Sequence, residues 1–98
     1  MEIEKNKQNG LLTLTLSGNL NTQTAPELEQ VIKAELSGVS SLVIDLAQVS
    51  YISSAGLRVL LATQNQMNEQ GRMVVKNVGP EVMEVFDMTG FSDVLTLE

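Results

Sequence analysis

Residues 42–61 change hydrophobic period once, and that change sets the class of fold open to the chain. The run begins Leu42, Val43, Ile44, then Leu46 after a single Asp45. A short apolar run rich in branched residues reads as a buried strand. Past a brief connection the apolar residues recur at Leu57, Leu60 and Leu61, which is helical spacing. A buried strand feeding directly into a helix predicts an α/β chain with parallel strands. Two adjacent hydroxyls, Ser53 and Ser54, fall at the junction.

The flanking segments extend this pattern. Residues 2–8 are charged and partly alternating, as an edge strand would be. Asn9-Gly10 is a hairpin signal, and Leu and Thr alternate from Leu11 to Leu16, so 2–8 and 11–17 are expected to pair antiparallel. Residues 17–24 form a polar loop. Thr24 or a neighbour can cap the next helix, with Pro26 in its first turn and Leu28, Val31, Ile32 and Leu36 as its apolar stripe. Ser37-Gly38 ends that helix. A strand over 41–46, a helix over 55–69 closed by Gly71, and a strand over 73–76 follow. Pro80 starts a third helix carrying Val82, Met83, Val85 and Phe86, Thr89-Gly90 ends it, and residues 94–97 read as a last strand.

The predicted order is β-β-α-β-α-β-α-β: one α/β domain over residues 1–98, with a mixed, mostly parallel sheet of about five strands and packed helices. Strand order does not follow from the sequence. Loops leaving the C-terminal ends of parallel strands gather along one edge, where ligands tend to bind. That edge is expected to collect residues 18–24, 48–54 and 77–80, each leading into a helix N-terminus.

Composition narrows the function. The chain has 98 residues, 43% of them hydrophobic, enough for one packed core. No Cys or His is present, which removes thiol and imidazole chemistry and zinc thiolate sites, and no metal or cofactor is expected. A net charge of -6 disfavours binding to a phosphate backbone, and Tyr51, Phe86 and Phe91 are the only aromatic residues for base stacking. Nucleic acid is therefore not an expected partner. The start of the chain lacks a signal-peptide pattern, and no apolar run is long enough for a membrane span. A cytoplasmic protein, acting as a monomer, is expected.

Ser at a helix start usually caps it, contributing on the order of 1 kcal/mol. Neither Ser53 nor Ser54 has Glu or Gln three residues on, so no capping box supports either. Gly56 falls in the first turn, where it weakens a helix, so it serves either close approach by another molecule or packing on the sheet. A phosphate at that position would meet free N–H groups and add about -1.5 to -2 charges to an already acidic face. On the residues alone, capping and phosphorylation both stand. Asp45 reads as a carboxylate bonded to a nearby loop. Gln64, Asn65, Gln66 and Asn68 read as the solvated side of a helix, and Arg58 as a solvated cation within reach of a phosphate or an acidic partner residue.

Residues 45–57 resemble the signature of the STAS family, the bacterial anti-sigma factor antagonists, and residues 18–28 resemble that family's second recognisable stretch. The resemblance implies a regulatory binding module rather than an enzyme. In the unphosphorylated form it would bind an anti-sigma factor that is also a serine kinase and so release a sigma factor. Phosphorylation would end the binding, and a phosphatase would restore it. The family's acceptor lies two residues before the glycine, which maps to Ser54, with Ser53 as the alternative. Asn21, Thr22, Ser53, Ser54, Gly56, Leu57 and Arg58 are the expected partner-binding residues. Many members carry Asp at the positions of Asn21 and Ser53. The loss of both carboxylates leaves a second reading, a STAS adaptor subunit of a larger complex, such as a lipid-transport assembly, that is never phosphorylated.

Overall fold

The structure, a computed structural model, describes residues 1–98. Its elements are β1 (Glu2–Gln8), β2 (Leu11–Ser17), α1 (Ala25–Glu35), β3 (Ser41–Gln48), α2 (Ser54–Gln70), β4 (Arg72–Lys76) and α3 (Pro80–Thr89), followed by a short 3-10 turn at Phe91–Asp93. The sheet order is β1-β2-β3-β4. The β1–β2 hairpin is antiparallel, turning through Asn9 and Gly10, both at positive φ as a tight two-residue turn requires. The β2–β3 and β3–β4 pairs are parallel.

Period-two alternation fixes which face of the sheet is buried. Leu12, Leu14 and Leu16 of β2 and Leu42, Ile44 and Leu46 of β3 are fully buried, while Thr13, Thr15, Val43 and Asp45 between them are half-buried. The buried set forms one cluster with Leu28 and Ile32 of α1, Leu57, Leu60 and Met67 of α2, and Val82 and Phe86 of α3. A one-residue slip of β2 or β3 would turn every one of those side chains to the other face, so the register is strongly specified.

Two expectations are corrected here. The chain's last segment is not a full strand. Gly90, in the left-handed conformation, ends α3, and the 3-10 turn then engages Val94 and Leu95, whose N–H groups both donate to the Phe91 carbonyl. Only the final residues remain to pair, through a single parallel bridge of Leu97 with Val75, so the sheet has four strands rather than five. Gln64 is not solvated: it is 3% exposed, because it continues the inward stripe of Leu57 and Leu60 by helical spacing. Its amide nitrogen donates to Asn68 Oδ1 at 2.9 Å, and its Oε1 is buried with no partner.

Gly71 joins α2 to β4 at a point where the chain passes very close to a neighbouring backbone. A Cβ there would collide with the Ser40 carbonyl, which also accepts the N–H of Arg72 at 3.0 Å. Neither backbone can yield without breaking the start of the β3–β4 pair. Gly71→Ala is therefore expected to cost about 1–3 kcal/mol, as overpacking does, and urea denaturation measures it directly.

Candidate functional site

The hydrogen-bonded ladder between β2 and β3 does not stop where the strands end. Gly18 donates to the Gln48 carbonyl at 3.1 Å, Leu20 to the Tyr51 carbonyl at 3.0 Å, and Ser53 to the Leu20 carbonyl at 2.8 Å. Leu20 and Ile52 form a parallel bridge, and both side chains are buried. Residues 18–24 and 48–54, distant in sequence, are thus locked side by side. The third loop joins them through Asp45, whose Oδ1 accepts from Asn77 Nδ2 at 3.1 Å and from the Ala47 N–H at 2.9 Å.

Local side-chain bonds hold the loop before α1 and the start of α2, while α3 begins at Gly79 and Pro80 with no side-chain cap. Asn21 Oδ1 accepts the N–H groups of Gln23 at 2.9 Å and Thr24 at 3.0 Å, while Thr24 Oγ1 accepts the Asn21 N–H at 2.8 Å and donates to the Asn19 carbonyl at 2.6 Å. Asn21 thus braces the turn that leads into α1, whose N-cap Thr24 makes no side-chain cap bond of its own, and an amide oxygen serves there as a carboxylate oxygen would. Ser53 is the N-cap of α2. It is extended at φ −98°, ψ 173°, and its Oγ accepts the Gly56 N–H at a long 3.4 Å.

Ser54 is the first helical residue. It is exposed, and its hydroxyl has no protein partner among the side-chain hydrogen bonds. The two serines divide the roles left open by the sequence: Ser53 caps, and Ser54 is held at a fixed corner with its oxygen free.

Gly56 and Leu57, expected among the partner-binding residues, are both buried beneath the edge. A Cβ on Gly56 would lie 2.7 Å from Leu20 Cγ and 3.0 Å from Ile52 Cγ1, so the glycine lets the helix start sit on the bridge beneath it. Leu57 is 6% exposed within the core cluster. Thr22 and Arg58 do face solvent. Both line a groove of about 500 Å³ between α1 and α2, together with Ala55, Val59 and Ala62.

Two features of the edge escaped the sequence reading. Residues 18–24, 48–54 and 77–80 contain no charged side chain, so the three loops themselves are not acidic. Beside these loops stand Asp45, bonded to Asn77, and Glu27 and Glu81 in the first turns of α1 and α3. Tyr51, 53% exposed, projects from the same edge three residues before Ser54. The signal was present: Val49 and Ile52 are the buried residues of that connection, so Tyr51 between them must point out.

Comparison with known proteins agrees with this arrangement. The family model described as the STAS domain matches residues 2–98. A Bordetella bronchiseptica protein, BtrV, assigned as an anti-sigma factor antagonist, is 39% identical over 93 residues, spanning 93% of this chain and 80% of its own length. The anti-sigma-B factor antagonist of Staphylococcus epidermidis is 28% identical over 97 residues, spanning 97% of this chain and 90% of its own. The crystal structure of an anti-sigma factor antagonist from Mycobacterium paratuberculosis superposes with a TM-score of 0.88 at 30% identity, covering 98% of this chain and 83% of that one.

The division between the serines has a measurable consequence. Ser53→Ala removes a cap and is expected to cost about 0.5–1 kcal/mol, whereas Ser54→Ala should fall within about 0.5 kcal/mol of wild type in the same urea titration. Asn21→Ala removes two hydrogen bonds within the loop before α1 and should cost about 1 kcal/mol, and Asn21→Asp, which keeps the acceptor oxygen, should cost much less.

Proposed function

This chain belongs to the STAS domain family, and from that premise we propose that it is an anti-sigma factor antagonist switched by phosphate on Ser54. The observation that carries the reading is the exposed, unbonded Ser54 hydroxyl at a helix start already capped by its neighbour. A kinase can engage that oxygen without unfolding anything. The partner is an anti-sigma factor that is itself a serine kinase, and binding the unmodified edge withdraws it from its sigma factor.

In the switching step Ser54 Oγ attacks the terminal phosphorus of a nucleoside triphosphate bound to the kinase. The Oγ–P bond forms as the bond from phosphorus to the diphosphate leaving group breaks, and the hydroxyl proton passes to the kinase's base. Reversal is hydrolysis by a phosphatase: water attacks phosphorus, the Oγ–P bond breaks, and inorganic phosphate leaves with Ser54 reprotonated.

The uncharged character of the three loops supports desolvation, rather than repulsion by acidic neighbours, as the way the phosphate ends binding. A complementary partner surface would have to strip water from about two negative charges for which it supplies no counter-charge of its own, and desolvating such ions costs several kcal/mol. The fold tolerates the same group, because the start of α2 presents unpaired N–H groups and its first turn holds no acidic residue.

Ser54→Asp is expected to weaken association with the sigma-controlling kinase of its own cell at least a hundredfold by calorimetry, with a thermal melt close to wild type. Equal binding by the two proteins would defeat the proposal. Intact mass after incubation with that kinase should show one phosphate on wild type and on Ser53→Ala, and none on Ser54→Ala. An unmodified wild-type mass would place the chain with the unphosphorylated adaptor subunits.

A further inference from the structure

The geometry points to Arg58 as the receptor, within the same molecule, for a phosphate on Ser54. This inference rests on reading Ser54 as the acceptor, and it adds what becomes of the phosphate once it is there. Ser54 and Arg58 are four residues apart on α2 and both exposed, so they are neighbours on one helix face. Helical side chains lean toward the N-terminus, which carries the long Arg58 side chain back over the turn that starts at Ser54. An anion placed four residues before a cation is also the favourable order for such a pair.

Arg58 is uncommitted in the unmodified protein. The chain has 12 Asp and Glu against 6 Lys and Arg, yet Arg58 forms no ion pair and no hydrogen bond. Lys5 is paired with Glu35, and Lys33 with Glu29. Glu29 is the one acid that shares the groove with Arg58, and its ion pair is made with Lys33 instead. Along all of α2 the only other charged residue is Glu69, near the far end. A dianion on Ser54 would therefore find one cation within a helical turn and no competing carboxylate on its own helix face. The guanidinium fork matches phosphate oxygens two at a time, which an ammonium does not.

The pairing gives the switch two effects from one modification. The phosphate brings negative charge to uncharged loops, and it also draws Arg58, the groove's one cation, away from a partner. A bound protein would lose a donor as well as meeting an anion.

The test installs phosphoserine at position 54 by an expanded genetic code, so that no kinase is needed, and follows the phosphate by ³¹P NMR from pH 4 to 8. The second ionisation should lie about 0.2–0.4 pH unit lower in wild type than in Arg58→Gln, with Arg58→Lys between them. Identical titration of the wild-type and Arg58→Gln phosphoproteins, with both melts confirming the fold, overturns the inference. The result is independent of whether a kinase uses Ser54: a failure of the proposed function appears in the mass and calorimetry measurements, and a failure of the Arg58 pairing appears only here.

Discussion

The parallel bridge between Leu20 and Ile52 is the contact on which the functional edge depends. Backbone bonds on either side of it tie the loop after β2 to the loop after β3, and its two buried side chains form the seat for the first turn of α2. Gly56 is what allows that seat to be used, since a Cβ there would press on both side chains. A glycine in a first turn weakens a helix by roughly 1 kcal/mol relative to alanine. The close approach it permits fixes Ser53 and Ser54 relative to the sheet, and the position of the acceptor oxygen then follows from core packing rather than from loop conformation.

The distribution of charge bears on mechanism more than the total does. A net charge of -6 suggests a molecule that repels anions from every side, but the three loops of the edge carry no charge at all. A partner surface matched to these uncharged loops, with the exposed Tyr51 among them, would be intolerant of an ion for which it offers no counter-charge. Repulsion between solvated charges is weakened by salt, whereas the cost of desolvating a dianion is much less so. A switch of the second kind holds its contrast across the ionic strengths a cell experiences.

Much of the fold was legible because it is written in local periods. Alternation along Leu11–Leu16 and helical spacing after Ser54 gave element types and their order, and the parallel connections followed from that order. What failed depended on geometry that a period does not encode. Residues 94–97 alternate well enough for a strand, but the 3-10 turn before them takes two of the four. Gln64 looks polar and hence solvated, yet it occupies an inward position set by the helix that carries it. The strand order β1-β2-β3-β4 required pairings between distant segments, on which no single segment informs. At the site, both serines and Asn21 were visible as candidates. Their division of labour was not, because which hydroxyl caps a helix depends on a boundary one residue wide.

That one-residue boundary explains why two adjacent serines suit a switch better than one. A capping oxygen must accept a hydrogen bond from the helix N–H groups in an extended conformation, as Ser53 does. Esterifying such an oxygen would load the cap itself with a bulky dianion and couple the modification to the stability of α2. Moving the acceptor to the next position separates the two functions. The cap stays in place whatever happens at Ser54, and a phosphate there meets the helix from outside, with Arg58 one turn away. Under the proposed switch the chain would keep one folded state in both forms, and the change in free energy on modification would fall mainly on the complex with the partner.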